Sequence, residues 1–231
     1  MKTSDLAAVP LGLLSAIRGR RVFHPDGVLA RGSIERLAPP DEGLPVASSD
    51  VIIRISKAIG FPDALPDIIG LAIRMPPARP ATTPWDVLLA SVIGGTYSRF
   101  ALRPVMSWSA TLSTLMPLTF HGQTWWMQVQ MTTHIDQPGL SLGDVADQLQ
   151  AGEIEFVIKQ ARGFGRFTPL ARLSITTRIA PGPSNDIAFD PTINSEPDVK
   201  LTPGWLTDVR RQAYARSRQG RGALSGSLSS W

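Results

Sequence analysis

The chain has 231 residues, of which 43% are apolar and 18% charged, a composition typical of a folded domain rather than a disordered chain. It contains no cysteine, which excludes disulfides, thiolate ligation of haem, iron–sulfur clusters and cysteine nucleophiles. The net charge is +4, and the three histidines lie too far apart in the sequence to form the closely spaced ligand pairs of a zinc site.

No stretch of the sequence is apolar for long enough to predict a membrane-spanning helix. The apolar run at residues 6–17 is interrupted by Pro10 and Gly12 and follows Asp5, so a signal peptide is disfavoured. We therefore expect a cytoplasmic protein.

Alternating or β-branched apolar residues predict strands. In chain order these cover residues 20–24, 31–37, 50–57, 70–76, 124–135, 153–161 and 170–177. Helices are predicted over residues 5–19, 83–92, 99–118, 141–151 and 202–218. Pro84 suits the first turn of the second helix, and Ser141 suits the N-cap of the fourth. This order of elements predicts an α+β fold with a closed or nearly closed antiparallel sheet.

One domain is expected to span residues 1–221, followed by a flexible Gly- and Ser-rich tail over residues 222–231. No glycine-rich nucleotide loop or nucleophile elbow follows any predicted strand. Asp63, Asp67 and Asp86 are interpreted as solvated loop residues rather than as a carboxylate site.

The predicted C-terminal helix is rich in arginine and contains one tyrosine. Arg210 and Tyr214 are four residues apart and therefore share a helix face. A guanidinium beside a phenol lowers the pKa of that phenol, because the cation favours the phenolate, which is a suitable ligand for ferric iron. Two other interpretations are an amphipathic helix whose tyrosine packs on the core and a basic segment that binds nucleic acid.

Residues 21–32 resemble the catalase family, which has an arginine, two apolar residues, a distal histidine, and glycines three and eight residues later. The corresponding residues are Arg21, His24, Gly27 and Gly32. Further motifs of that family are matched in the same order along the chain, by Arg54–Ser56, Pro66–Asp67, Gly70–Arg74, Trp85–Asp86, Phe189–Pro191, and finally Arg210, Tyr214, Ser217 and Arg221.

The resemblance implies an antiparallel β-barrel of about eight strands with surrounding helices, and a haem b cofactor. Tyr214 would be the iron ligand, with Arg210 stabilising its phenolate. His24 would be the catalytic acid/base on the opposite face of the haem, supported by Ser56. The other residues implied to bind haem are Arg21, Arg54 and Arg221 at the propionates, together with Phe23 and Ser217.

Two departures from the family change the expected activity. Catalases have a pair of asparagines after the Trp–Asp motif, and the corresponding residues here are Ala90 and Ser91. The chain is also much shorter than a typical catalase, so a more open haem pocket is expected.

The expected function is a peroxidase that uses hydrogen peroxide or organic hydroperoxides with an organic reductant, and that has weak catalase activity. One alternative is a hydroperoxide isomerase or dehydratase, as in the allene oxide synthases of this fold. Another is a haem carrier or sensor without turnover. No nucleic-acid partner is expected, and a homo-oligomer is left open.

Overall fold

The structure is a computed structural model that describes residues 27–77, 83–95, 98–135, 137–182, 185 and 187–202. The helix predicted over residues 5–19, the strand near 20–24 and the tail over 222–231 lie outside the described residues, as does all but the first residue of the helix predicted over 202–218. The described elements are β1 (Gly27–Arg36), β2 (Ser49–Lys57), β3 (Ile69–Met75), β4 (Trp85–Ser91), β5 (Leu112–Ser113), β6 (Leu118–Phe120), β7 (Gln123–Met131), α1 (Leu142–Ala151), β8 (Ile154–Arg162), β9 (Thr168–Arg178) and β10 (Val199–Leu201).

Eight of the strands form a closed antiparallel barrel. Around the barrel they follow the order β1, β2, β3, β4, β5, β7, β8 and β9, and β9 pairs again with β1. β6 pairs with the first residues of β7, and β10 pairs with β6. The predicted closed antiparallel sheet is therefore confirmed.

Rows of directly paired residues fill the barrel interior. In one row Val28 pairs with Ile55, Ile55 with Leu71, and Leu71 with Leu89, and all four are at most 5% exposed. Successive side chains of a strand point to opposite sides, so alternate residues of each strand enter this interior. An eight-stranded barrel has just enough interior space to be filled by such side chains.

A β-bulge at Thr176 of β9 lies where this strand comes very close to β1. The register shifts between Arg31 and Gly32, and a Cβ at Gly32 would overlap the carbonyl oxygen of Ser174. Only glycine permits so close an approach of two backbones. The second glycine of the catalase-like motif therefore has a structural role in the barrel.

Six of the predicted strands are confirmed as β1, β2, β3, β7, β8 and β9, and the helix predicted over residues 141–151 is α1. Ser141 is its N-cap, because the Ser141 Oγ accepts hydrogen bonds from the backbone N–H groups of Gly143 at 3.1 Å and Asp144 at 3.3 Å. The helix packs against β9 and β1.

Two predicted helices are wrong. Residues 83–92 contain β4. On the outer side of this strand Asp86 is buried and Leu88 is half-buried, so the sequence lacks the alternation of apolar and polar residues that predicts a strand. Residues 99–118 form turns, bends and isolated β-bridges and include β5, and Pro104 lacks the N–H that a helix interior requires. Among the described residues α1 is thus the one α-helix beside the barrel, fewer than the surrounding helices expected.

Arg36 holds the loop between β1 and β2 against one end of the barrel. Its guanidinium donates hydrogen bonds of 2.7–3.0 Å to five backbone carbonyl oxygens, those of Ala38, Pro39, Glu42, Leu44 and Val46. Burial lowers the pKa of the Arg36 guanidinium from its usual value, and the charge of Asp41 acts in the opposite direction. The planar fork of arginine is what allows one side chain to reach so many acceptors.

Replacing this guanidinium should destabilise the barrel. Arg36→Met is expected to lower the free energy of unfolding by about 2–4 kcal/mol, because buried carbonyl groups lose their charged donor. Urea unfolding followed by tryptophan fluorescence measures the change. Arg172→Met is the matched control, since Arg172 and its partner Glu35 are both largely exposed, and its effect should stay within about 0.5 kcal/mol. Equal losses in the two variants would contradict this role of Arg36.

Candidate functional site

Arg54 and Ser56 lie on the outer face of the barrel. They alternate along β2 with Ile53 and Ile55, which are buried in the interior, so their side chains point outward. Both residues are half-buried. Of the residues predicted to bind haem or take part in catalysis, these are the two that the structure describes, and they share one face.

Small residues flank Ser56 on this face. The register places Ser56 opposite Gly27 on β1 and Gly70 on β3, and it places Gly70 opposite Ala90 on β4. Neighbouring strands are about 4.8 Å apart, so this row of four residues is about 14 Å long. It forms a strip of small residues in which the Ser56 hydroxyl is the polar side-chain group.

A second row runs beside the first on the same outer face. It contains Leu29, Arg54, Ala72 and Leu88, again paired in that order across β1 to β4. All four residues are half-buried. We call the two rows together the outer strip; it is apolar except for one hydroxyl and one guanidinium.

Two glycines of the outer strip leave room for its polar side chains. A Cβ at Gly27 would lie 2.8 Å from the Nε of Arg54, and a Cβ at Gly70 would lie 3.1 Å from the Oγ of Ser56. A larger residue at either position would displace the neighbouring polar side chain. The first glycine of the catalase-like motif therefore makes space for Arg54.

The structure distinguishes Ala90 from Ser91, the two positions where catalases have asparagine. Ala90 lies on the outer face in the same row as Ser56. Ser91 is fully buried, with its Oγ donating to the carbonyl oxygen of Arg103 at 2.7 Å and accepting from the N–H of Ile69 at 3.3 Å. Ala90 is therefore the position from which a side chain would reach the outer strip.

Asp86 is buried, so its interpretation as a solvated loop residue is wrong. It is 1% exposed, and its carboxylate accepts hydrogen bonds from Nε and Nη2 of Arg74 at 2.7 and 2.6 Å. The same carboxylate accepts the N–H of Asp190 at 2.7 Å and the Nδ2 group of Asn194 at 2.8 Å. A buried charge needs such partners, because water no longer solvates it.

The Asp86 carboxylate brings together two segments that resemble catalase motifs, Trp85–Asp86 and Phe189–Pro191. Arg74 reinforces the contact by donating to the carbonyl oxygen of Ala188 at 2.8 Å, and its guanidinium carbon lies 5.1 Å from the centre of the Phe189 ring. The segment after residue 187 is thereby attached to the outer side of β3 and β4.

A shallow cleft adjoins the outer strip. It is lined by Leu88 of the strip, by Leu115 and Leu118, and by Ser195 and Leu201 of the attached segment, among other residues. β10 then pairs with β6 beside this cleft. The cleft therefore connects the outer strip to the attached segment as far as Leu201.

Asp67 is also buried rather than solvated. It is fully buried, and its carboxylate accepts the backbone N–H groups of Ile59, Gly60, Phe61 and Ile68 at 2.7–2.9 Å. Asp63 is the exposed member of the three carboxylates and pairs with Lys57 at 2.6 Å. No group of three or more potential metal ligands occurs among the described residues.

Arg99 is a fully buried charge that no sequence pattern indicated. Its guanidinium donates to the carbonyl oxygens of Gly163 and Gly165 at 3.1 Å each, and its guanidinium carbon lies 4.7 Å from the centre of the Phe167 ring. Burial lowers the pKa of this guanidinium from its usual value. Arg99 braces the long β4–β5 connection against the turn between β8 and β9.

The other predicted site residues lie outside the described residues. They are Arg21, Phe23, His24, Arg210, Tyr214, Ser217 and Arg221. In the part of the chain that the structure describes, no helix has the length and apolarity to cross a bilayer.

No protein-family model matches the chain, and no curated protein matches it. The resemblance to catalases therefore depends on the residues and spacings quoted in the sequence analysis.

Neutralising Asp86 should release the segment that it holds. Asp86→Asn is expected to lower the free energy of unfolding by about 3–5 kcal/mol, because Arg74 remains buried without its charged partner. Limited proteolysis followed by mass spectrometry should then detect cleavage within residues 187–202. Asp67→Asn is the control: it also removes a buried charge but should leave that segment protected. Equal protection of the segment in both variants would contradict the role of Asp86.

Proposed function

We propose that this chain is a haem peroxidase of the catalase-like barrel class, which uses hydrogen peroxide or organic hydroperoxides. The observation that carries the proposal is the shared position of Arg54 and Ser56 on the outer face of a closed antiparallel barrel. The catalase-like motif that contains His24 leads directly into the first strand of that face.

Chain connectivity supports a site that combines His24 with Ser56. Three peptide units separate His24 from Gly27, so their Cα atoms are at most about 11 Å apart. Gly27 pairs directly with Ser56. We therefore assign His24 as the acid/base that accepts the peroxide proton at its imidazole, and Ser56 as the residue whose Oγ supports that imidazole.

The chemistry of the outer strip fits haem. A planar, largely apolar macrocycle can lie against a face built from glycine, alanine and leucine, and its carboxylates need cationic donors at the edge. Arg54 supplies such a donor, and arginine binds carboxylates with two parallel hydrogen bonds. In the proposal Arg21 and Arg221 bind the same propionates, while Phe23 and Ser217 also contact the cofactor.

Tyr214 is the proposed iron ligand, and Arg210 stabilises its phenolate. Bound haem would supply the redox-active iron that cleaves the O–O bond of the hydroperoxide. The attachment of residues 187–202 to Asp86 supports this assignment, because it gives the chain that leads to Tyr214 a fixed origin beside the outer strip. An organic reductant would complete the peroxidase cycle.

Ala90 supports the expectation of weak catalase activity. Its methyl group offers no hydrogen bond to a peroxide near Ser56, and it leaves more space than asparagine would. The same space favours a second candidate, the isomerisation or dehydration of an organic hydroperoxide, because a bulkier substrate could approach the haem. Comparing hydrogen peroxide with organic hydroperoxides, with and without reductant, separates the two reactions.

Removing the iron ligand should abolish haem binding. Tyr214→Phe is expected to lose the haem absorbance of the loaded protein, because phenylalanine has no donor atom for iron. Titration of the purified protein with haem measures this. Tyr97→Phe changes the other tyrosine of the chain and should bind haem as the unmodified protein does. Equal haem binding by Tyr214→Phe would refute the ligand, and absence of binding by the unmodified protein would refute the proposed function.

Restoring an amide on the outer strip should increase turnover of hydrogen peroxide. Ala90→Asn is expected to raise the rate of oxygen evolution by about thirtyfold to a thousandfold, because one preorganised donor is worth about 2–4 kcal/mol in a transition state. Ser91→Asn should give no such gain and should destabilise the fold, since it overpacks the core. An equal rate in Ala90→Asn and the unmodified haem-loaded protein would contradict the assigned position.

A further inference from the structure

Four large apolar side chains are exposed at the end of the barrel where β2 turns into β3. Their exposed fractions are 44% for Ile59, 44% for Phe61, 49% for Leu65 and 55% for Met106. We call these four residues the apolar rim. Grouped apolar side chains in water usually mark a surface that another segment or molecule covers.

Asp67 holds the members of the apolar rim together. Its carboxylate accepts the N–H groups of Ile59 at 2.8 Å and Phe61 at 2.9 Å. Its backbone pairs with Val105, the neighbour of Met106, through hydrogen bonds of 3.0 and 2.8 Å. The rim is therefore preorganised by a buried carboxylate, which lowers the entropic cost of binding an apolar partner.

The chain that precedes β1 enters the barrel beside this rim. Gly27 pairs with Ser56, and Ile59 follows Ser56 by three residues. We propose that residues 6–17 of the same chain cover the apolar rim. This proposal does not depend on haem or on the proposed reaction.

The composition and length of the preceding segment suit this role. Residues 6–17 read LAAVPLGLLSAI and contain no charge, whereas Asp5 and Arg18 stand on either side. In the predicted helix Leu6, Val9, Leu13 and Ile17 recur at helical spacing and share one apolar face. The ten residues from Ile17 to Gly27 can span about 33 Å when extended, enough to reach every member of the rim.

Docking would have a consequence for residues 18–26. This short segment contains Arg21 and His24, and it would then be fixed at both ends, by the covered rim on one side and by β1 on the other. Such anchoring would limit the positions available to the side chains of Arg21 and His24, although neither would contact the apolar rim directly.

Disulfide trapping in the full chain tests the proposal, since the chain has no cysteine of its own. Leu13→Cys is combined with Leu65→Cys, and the oxidised protein is examined by non-reducing electrophoresis and peptide mapping. An intramolecular bond between positions 13 and 65, formed in most molecules at every protein concentration, is the expected result. Leu13→Cys with Leu37→Cys is the control, because Leu37 is 48% exposed at the opposite end of the barrel. That pair should stay reduced.

Three outcomes would overturn the proposal. A bond that forms only between chains and increases with protein concentration would assign the rim to a second copy. Equal trapping at positions 65 and 37 would indicate a segment without a preferred site. Absence of trapping at position 65, repeated with Val9→Cys and Ile17→Cys to allow for the strict geometry of disulfides, would mean that the segment does not cover the rim.

A second measurement does not need cysteine. The double variant Phe61→Ser, Leu65→Ser removes the apolar contact while changing only exposed side chains. Amide hydrogen exchange of residues 6–17 should become several-fold faster in this variant than in the unmodified chain. The control Leu37→Ser should leave that exchange unchanged. Exchange rates that are the same in all three proteins would contradict the docking.

Discussion

Pairing of β9 with β1 and of β7 with β8 closes the sheet into a barrel. Closure determines whether each side chain of a barrel strand faces the interior or the outside. In a closed barrel the alternate side chains of each barrel strand face either the filled interior or the outside. Apolar side chains fill the interior of this barrel, so the haem proposed above would have space only outside. The outer strip of Arg54, Ser56 and their small neighbours follows from that division.

Buried carboxylates connect the barrel to the segments around it. The Asp86 carboxylate joins β4 to the segment that contains Asn194. The Asp67 carboxylate holds the β2–β3 loop, and the Asp67 backbone pairs with Val105. Each carboxylate accepts hydrogen bonds from four N–H donors, which offset the free energy cost of burying its charge. This compensation is lost when the segment that carries the donors moves away. The same chemistry thus positions the cleft on one side of the barrel and the apolar rim at its end.

The sequence was most informative where a strand had one clearly polar face or a long apolar run. β2 and β8 have such patterns, and their bounds agree with the predicted ones within one residue. β4 has no such pattern, because Asp86 is buried and Leu88 is half-buried on its outer side. Pro84, which suits the first turn of a helix, then favoured the wrong prediction. β5, β6 and β10 are only two or three residues long, which is too short for any period to be recognised.

Within the candidate site, the predicted strand over residues 50–57 is confirmed, and residues two apart in a strand, such as Arg54 and Ser56, share a side. The choice between Ala90 and Ser91 could not be made from sequence, since neighbouring residues of a strand face opposite sides and a shift of one residue exchanges them. Only the pairing of Gly70 with Ala90 settles it. The burial of Asp86 was not predicted, because its hydrogen-bond partners Asp190 and Asn194 are distant in the sequence.

The pairing of Ile34 with Leu173 has a consequence for the order of events during synthesis. One edge of β1 remains without its partner until β9 has been synthesised, more than a hundred residues later. Contacts of such large sequence separation make folding slow, and an unpaired edge strand is a template for association with other chains. The nascent protein therefore has to protect β1 until its last barrel strand emerges. The proposed haem would bind only after translation has passed β9, because its proposed ligand Tyr214 follows that strand in the chain.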